Sequence, residues 1–145
     1  MDKKYSVAVI GCGRAGFSYD LDPKRREVFS HIGAYKSCKK VSKICAVDTG
    51  KSQIEIVKKT HPEIECFTNI DLMFEKNNID ILSICSPPSD RVEIVKKAVQ
   101  NKVKAIFCEK PLSSDIIEAK SIVRICSENK IELAVIILGG GITFI

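Results

Sequence analysis

Short apolar runs alternate with longer amphipathic stretches along the chain. Each run is bounded by glycine, proline or charged residues, which is typical of buried β-strands. The run at 65–68 is the weakest, so we expect an edge strand there. The predicted strands cover residues 7–10, 41–47, 65–68, 79–85, 105–108 and 131–138.

The stretches between these runs carry helix signals. Asp90 and Asp115 each stand three residues before a glutamate, Glu93 and Glu118, and apolar residues follow at helical spacing. This arrangement predicts a capping box at two helix starts. Strands that alternate with helices predict right-handed crossovers and a parallel sheet. We therefore expect an α/β fold, a doubly wound parallel sheet (Rossmann fold) with strand order 3-2-1-4-5-6, which binds ligands at the carboxyl ends of its strands.

The composition fits one globular domain. The chain has 145 residues, of which 45% are hydrophobic and 28% charged, and this excludes wholesale disorder. No run of about 18 apolar residues occurs, so a transmembrane helix is excluded, and the first apolar run is too short for a signal peptide. We expect a cytoplasmic protein with a domain over residues 1–138 and a short glycine-rich apolar tail at 139–145.

Charge and cysteine content exclude further classes. The formal net charge is +5, but lysines stand beside acidic residues along the chain and Trp is absent, so no nucleic-acid-binding stripe is predicted. The seven cysteines include no close pair, which argues against a zinc or redox site. We expect no metal site, no membrane contact, and reduced cysteines in the core.

A glycine-rich segment follows the first predicted strand directly. In a G-x-G-x-x-G motif at this place, the first glycine allows a tight turn, the second lets a pyrophosphate approach the backbone, and the third packs against the strand. The N-terminus of a following helix would add free N–H groups for the phosphates. The motif, which we call the glycine loop, consists of Gly11, Cys12, Gly13, Arg14, Ala15 and Gly16.

Asp48 ends the second predicted strand, where dinucleotide-binding domains place an acidic residue on the ribose. It comes late after Gly16, which we attribute to a surface insertion at 19–27 and a helical piece at 30–35. A carboxylate here accepts hydrogen bonds from ribose hydroxyls and repels a 2′-phosphate, which favours NAD over NADP. Lys51 weakens that preference, and an ordinary turn role for Asp48 stays open.

Two further loops follow the fourth and fifth predicted strands, at the same edge of the sheet as the glycine loop. The proline loop contains Ser86, Pro87 and Pro88, with Arg91 just after it, and the lysine loop contains Glu109, Lys110 and Pro111. Prolines here can shape a loop beneath a nicotinamide ring. A lysine at a strand end can donate to a substrate hydroxyl or a ribose.

Taken in order, these segments resemble the Gfo/Idh/MocA family of oxidoreductases, named for glucose–fructose oxidoreductase and inositol dehydrogenase. The resemblance rests on the glycine loop, Asp48, the two later loops, Ser30-His31 and Ala34-Tyr35. It implies an NAD(P)-binding Rossmann domain and hydride transfer at a carbon of a sugar, cyclitol or related polyol. It also implies that Lys110 is catalytic, and that Ser86, Pro87, Pro88, Arg91, Glu109 and Lys110 belong to the cofactor site.

Two departures from the family pattern bear on activity. The family often has histidine where this chain has Arg91. Family members also carry a second α/β domain with the substrate pocket, whereas this sequence ends at Ile145 after a Gly-Gly-Gly segment. We therefore expect a truncated dehydrogenase domain that binds cofactor but is inactive alone. A non-enzymatic dinucleotide-binding regulator is the alternative. A methyltransferase is a third interpretation, because glycine loops also bind S-adenosylmethionine, but the proline loop and the lysine loop argue against it.

The apolar C-terminal residues raise the question of self-association. We expect the sixth strand to be an edge strand whose free backbone groups and apolar neighbours invite a second chain. A two-fold homodimer is the simplest result. The alternative is that residues 139–145 fold back or stay disordered and leave a monomer.

Overall fold

The computed structural model describes residues 3–137 and 141–145 and places helices on both sides of a sheet. The strands are β1 (Tyr5–Ile10), β2 (Val41–Val47), β3 (Glu65–Phe67), β4 (Ile81–Ile84), β5 (Ala105–Cys108), β6 (Glu132–Ile137) and β7 (Gly141–Phe144). The α-helices are α1 (His31–Ser37), α2 (Lys51–Thr60), α3 (Ile70–Lys76), α4 (Arg91–Gln100) and α5 (Ile116–Glu128), and short 3-10 helices cover Ser18–Leu21 and Pro88–Asp90.

The seven strands form one sheet in the order β3-β2-β1-β4-β5-β6-β7. The first six are parallel to their neighbours, and β7 runs antiparallel to β6. This confirms the predicted Rossmann sheet and its 3-2-1-4-5-6 order. Ala8 of β1 lies opposite Cys45 of β2 on one side and Leu82 of β4 on the other, so the strand order reverses beside the glycine loop.

The sheet has an apolar core on each face. The larger core joins the central strands to α3, α4 and α5 and contains Leu82, Ile106 and Ile122, all fully buried. The smaller core joins β1 and β2 to α1 and α2 through Ile32 and Val57. Because the central strands are covered on both faces, they are continuously apolar instead of alternating with polar residues.

The face that carries α1 and α2 has a groove beside α1, along β5, β6 and β7. We call this feature of about 630 Å³ the open groove. Most of its lining is apolar, and it includes Phe29, Phe107, Ala134, Ile136 and Phe144. His31 and Glu109 bring polar groups to it.

The C-terminal strand corrects one expectation. β6 was expected at the edge of the sheet, but β7 pairs with it, with Ile136 opposite Ile142, and β7 is the edge strand. Ile142, Thr143 and Phe144 are all exposed, as residues of an edge strand often are. Of the expected tail, residues 139 and 140 lie outside the described residues, as does Leu138 at the expected end of β6.

The segment after the glycine loop also differs from expectation. No α-helix begins at Gly16; instead a wide turn leads into the 3-10 helix Ser18–Leu21, and α1 begins only at His31. Asp20 accounts for this path, because its carboxylate accepts hydrogen bonds from the N–H groups of Phe29 and Ser30 and from the Ser30 hydroxyl. The expected surface insertion and the helical piece behind it are both confirmed.

The two predicted capping boxes have different outcomes. Asp115 caps α5, since its carboxylate accepts from the N–H groups of Ile117 and Glu118. Asp90 makes no capping hydrogen bond, because the 3-10 helix Pro88–Asp90 runs directly into α4 and gives Asp90 helical backbone angles. The expectation for Asp90 was therefore wrong.

The seven cysteines are all free thiols, as expected. Four are buried and two are half-buried, but Cys38 is exposed at the end of α1, so the expectation of a core position fails there. No helix within residues 3–137 and 141–145 is long and apolar enough to cross a membrane. The same residues hold no group of three or more His, Cys, Asp and Glu side chains that could bind a metal ion.

Candidate functional site

The glycine loop closes tightly between β1 and the start of the proline loop. Gly11 has φ of +89°, and a Cβ there would come within 2.7 Å of the Ser86 amide nitrogen. A Cβ at Gly16 would lie 1.9 Å from the Gly11 carbonyl oxygen. At Gly13, by contrast, no atom of the described chain lies within 4 Å of the Cβ position. The first and third glycines are therefore required by packing, whereas the second faces open space.

The loop offers unpaired backbone donors beside that space. The N–H groups of Gly13, Arg14, Ala15 and Gly16 have no hydrogen-bond partner among the residues that the structure describes. The N–H groups of Phe17 and Ser18 both donate to the Gly13 carbonyl at 2.9 Å, as in the first turn of a helix. Such a turn leaves its first amides free, and free amides of this kind bind anions well.

Cys12 and Arg14 take different positions in the loop. The Cys12 side chain is fully buried, and burial together with the Asp48 carboxylate raises the pKa of its thiol to about 12. Its N–H is already engaged with Asp48. Cys12 therefore belongs to the core beneath the loop, whereas the Arg14 side chain is exposed.

Asp48 ties the glycine loop to the start of α2. Its Oδ2 accepts from the Cys12 N–H at 2.8 Å, and its Oδ1 accepts from the Gly50 N–H at 2.8 Å. The residue is half-buried. Each carboxylate oxygen can accept a second hydrogen bond, so this structural role and a ribose contact are compatible. Lys51 is exposed at the first position of α2.

A cleft of about 640 Å³ lies at the carboxyl edge of the sheet, and we call it the edge cleft. Of the residues predicted for the cofactor site, Gly11, Asp48, Ser86 and Pro87 line it. Thr49 and the segment Thr68-Asn69-Ile70 complete its wall on the β2 and β3 side. The Ser86 hydroxyl is buried and has no hydrogen-bond partner in the described chain.

Arg91 lies under the loops and not at their surface. It is only 2% exposed, and its guanidinium donates to the carbonyl oxygens of Ser86, Glu109 and Pro111. Among the described residues it forms no ion pair. Arg91 therefore clamps the proline loop to the lysine loop, which gives it a positioning role where the sequence suggested cofactor contact. Pro88 is half-buried in the same region.

The lysine loop presents its two charged residues differently. The Glu109 side chain is 18% exposed, and its Oε1 lies 3.1 Å from Nε2 of His31. The Lys110 side chain is exposed, and its ammonium has no partner within residues 3–137 and 141–145. The peptide bond between Lys110 and Pro111 is cis. Neither Lys110 nor Arg91 lines the edge cleft.

Several polar contacts around these loops were not predicted. Gln53 donates to the Cys12 carbonyl at 2.5 Å and so supports the glycine loop from α2. Ser83 is fully buried in β4 and bonds to both His31 and Tyr35. A serine inside an otherwise apolar strand was the available signal, because buried hydroxyls need partners. Gln53 carried no such signal.

The fold and the site define the class of protein. A doubly wound sheet has its strand order reversed beside a glycine loop with four free amides, and a carboxylate ends the second strand. An NAD molecule fits this arrangement, because Gly13 leaves room for a pyrophosphate that any side chain would occupy. The molecule is a dinucleotide-binding Rossmann domain.

Comparison with protein families confirms and narrows this class. Residues 5–137 match the Gfo/Idh/MocA family model, described as an oxidoreductase family with an NAD-binding Rossmann fold. The chain belongs to this family. Two uncharacterized oxidoreductases of Schizosaccharomyces pombe are similar in sequence, one 33% identical over 78 residues and the other 24% identical over 129 residues. These matches cover 54% and 89% of this chain, but 21% and 32% of the relatives.

Solved structures show the same fold. An oxidoreductase from Agrobacterium radiobacter, in complex with NAD+, L-tartaric acid and magnesium, aligns with a TM-score of 0.74 at 22% identity. The WlbA dehydrogenase from Bordetella pertussis, in complex with NADH and UDP-GlcNAcA, aligns with a TM-score of 0.75 at 20% identity. The alignments cover 92% and 94% of this chain and 35% and 37% of those chains. The chain thus spans about a third of the length of these relatives.

The glycine geometry generates a paired test. We expect Gly13→Val to weaken NADH binding at least about tenfold, because the side chain fills the space left for the pyrophosphate, and to leave the melting temperature nearly unchanged. Gly16→Val is the matched control: its side chain meets the Gly11 carbonyl, so it should lower the melting temperature. Calorimetric titration and thermal unfolding measure both, and a Gly13→Val protein that binds NADH like wild type would contradict the assignment.

Proposed function

We propose that these 145 residues bind NAD(H) as the cofactor domain of a dehydrogenase that oxidises a CH–OH group of a sugar, cyclitol or related polyol. The observation that carries the proposal is the set of four free amides around Gly13, which adjoins the edge cleft and Asp48. Similar structures support the substrate class. One is the WlbA dehydrogenase in complex with NADH and UDP-GlcNAcA, and another is described as a putative myo-inositol dehydrogenase from Sinorhizobium meliloti, 21% identical with a TM-score of 0.72.

Each part of the site has a chemical task in this proposal. The free amides of the glycine loop donate to the pyrophosphate, and Asp48 accepts from the adenosine ribose. The Ser86 hydroxyl and the two prolines after it line the nicotinamide side and exclude water. A bound NAD+ would supply the hydride acceptor for the substrate carbon. Lys110 holds its proton at Nζ and donates a hydrogen bond to the substrate hydroxyl, which orients that carbon.

The cofactor half alone does not make a complete catalyst in this proposal. Lys110 is the one acid–base side chain that we assign to the reaction, and it is exposed to solvent. Turnover also requires groups that position the substrate and accept its hydroxyl proton. We propose that the 145 residues bind NAD(H) without turning over polyols. The seven free cysteines support a reducing, cytoplasmic location.

A regulator that binds NAD(H) as a signal is the second candidate, since it would use the same cofactor residues. The exposed Lys110 stands between Glu109 and Pro111, whose carbonyl oxygens the Arg91 clamp binds, and this favours the dehydrogenase. To distinguish the two candidates, we would add the substrate domain of a relative to the 145-residue chain. The combined system would then be assayed for turnover with a panel of polyols. Turnover that is lost in Lys110→Met supports the dehydrogenase, whereas NADH binding without any turnover in the combined system favours the regulator.

The cofactor preference rests on Asp48. We expect wild type to bind NADH about tenfold or more tightly than NADPH, because the half-buried carboxylate repels a 2′-phosphate. Asp48→Asn is the matched variant: it removes the charge and keeps one of the two oxygens that accept from the Cys12 and Gly50 N–H groups, so the preference for NADH should narrow. Calorimetry with both cofactors measures it. Equal affinities in wild type would contradict the preference, and absence of any binding would contradict the proposed function.

Self-association is a further part of the proposal. The edge strand β7 exposes Ile142, Phe144 and Ile145, with 52%, 76% and 56% of their surface accessible. Antiparallel pairing of two β7 strands would bury these residues and satisfy the free edge, which gives a two-fold dimer.

Light scattering on the intact chain at tens of micromolar tests the dimer. Phe144→Lys should return it to a monomer, because charge on an edge strand opposes pairing. Ile117→Lys is the control, since Ile117 is 75% exposed but lies on α5, away from β7. A monodisperse monomer for wild type rejects the dimer.

A further inference from the structure

A chain of hydrogen bonds runs beneath the lysine loop from helix α1 to Glu109. The Tyr35 hydroxyl lies 2.7 Å from the Ser83 Oγ, which lies 2.9 Å from Nδ1 of His31. On its other side, His31 Nε2 lies 3.1 Å from Glu109 Oε1. His31 and Ser83 are buried, at 8% and 0% exposure. All four polar side chains are thus joined in sequence.

The chemistry of the groups fixes the direction of donation. An ionised carboxylate only accepts, so Nε2 of His31 carries the hydrogen and donates it to Glu109. In a neutral imidazole Nδ1 must then accept, and the Ser83 hydroxyl donates to it. Ser83 in turn accepts from the Tyr35 hydroxyl. Burial lowers the pKa of His31, which supports the neutral ring.

The charged and titratable groups around His31 are consistent with this assignment. Glu109 faces the ring from the lysine loop. Tyr35 on the same helix is joined to the ring through Ser83, and Cys85, just after β4, faces Tyr35. Asp20 bonds to the backbone of the preceding Ser30. Among these groups Glu109 bonds the ring directly.

Helix α1 also holds the glycine loop through its backbone. The His31 N–H donates to the Ala15 carbonyl at 2.9 Å, and the Ile32 N–H donates to the Gly16 carbonyl at 3.1 Å. His31 therefore contacts the glycine loop with its main chain and the lysine loop with its side chain. The arrangement fixes the distance between the two loops.

A catalytic triad is the competing interpretation of Ser83, His31 and Glu109, which are joined one to the next by hydrogen bonds. The Ser83 hydroxyl has no access to solvent and is engaged at both sides, so it cannot attack a substrate. Nucleophilic catalysis by Ser83 is therefore excluded, and the remaining role for the hydrogen-bonded chain is to position the loops.

We propose that His31 is a positioning residue that acts through Glu109 to hold Lys110 at a fixed distance from the glycine loop. The task requires a hydrogen on Nε2, which the Nε2–H tautomer supplies in a neutral ring. The inference rests on the proposed function for the role of Lys110, whereas the tautomer and the coupling of His31 to Lys110 are independent of it.

Nitrogen NMR of the histidine-labelled 145-residue chain tests the tautomer. We expect His31 to show a protonated Nε2 and an unprotonated Nδ1 at neutral pH. The chain has only two histidines, so His61→Leu assigns the spectrum. A predominant Nδ1–H form or a charged ring at neutral pH would overturn the proposal.

Two probes then separate positioning from general stability. ADP-ribose reports on the glycine loop and Asp48, whereas NADH also reports on the nicotinamide end. His31→Leu should weaken NADH binding about fivefold to tenfold and change ADP-ribose binding less than about twofold. His31→Gln, which keeps an N–H donor for Glu109, should restore most of the NADH affinity. His61→Leu is the control and should alter neither.

Equal losses for the two probes without rescue by glutamine would indicate a merely structural role and overturn the proposal. The Lys110 backbone amide resonance provides a readout without ligand: it should shift in His31→Leu and return in His31→Gln. If wild type binds neither probe, the proposed function fails, and this resonance together with the tautomer still decides the inference. An unmoved Lys110 resonance in His31→Leu rejects it.

Discussion

The contact between Gly16 and the Gly11 carbonyl is the constraint on which the site depends. With a Cβ position 1.9 Å from that oxygen, only glycine lets the loop close. Closure sets the four amides at the end of β1, where the strand order reverses and the edge cleft begins. It also brings Gly11 against Ser86, so the proline loop is positioned by the same packing. The absence of a side chain at Gly16 thus determines where the four amides of the glycine loop lie.

The positions of the later loops depend on buried polar groups instead. Arg91 donates to three carbonyl oxygens from two loops, and hydrogen bonds to charged groups are each worth about 1.5–3 kcal/mol. A histidine, which the family often has there, offers fewer donors and could not reach as many carbonyls. The proline and lysine loops of this chain are therefore held as one unit. The exposed Lys110 thus lies between two carbonyl oxygens, those of Glu109 and Pro111, that the buried Arg91 binds.

The sequence predicted those features that depend on local pattern. Apolar runs located the first six strands, glycine spacing located the turn, and Asp115 located a helix start. The sequence did not predict features that depend on contacts between residues well separated along the chain. Asp20, which redirects the chain after the glycine loop, bonds to residues nine and ten positions away. The Asp90 cap failed because the prolines before it lead into a 3-10 turn. The return of residues 141–144 onto β6 was only the alternative in the sequence analysis, because antiparallel pairing has no signal within the strand itself.

The topology of the crossovers explains why one face of the sheet has an open groove over β5 and β6. Right-handed crossovers from β1 to β3 place α1 and α2 on one face, and those from β3 to β6 place α3, α4 and α5 on the other. The first face over β5 and β6 consequently receives no crossover helix, and the open groove lies there. Glu109 and His31 border this groove. In the proposed dehydrogenase, the uncovered face leaves room beside Glu109 for groups from outside these residues.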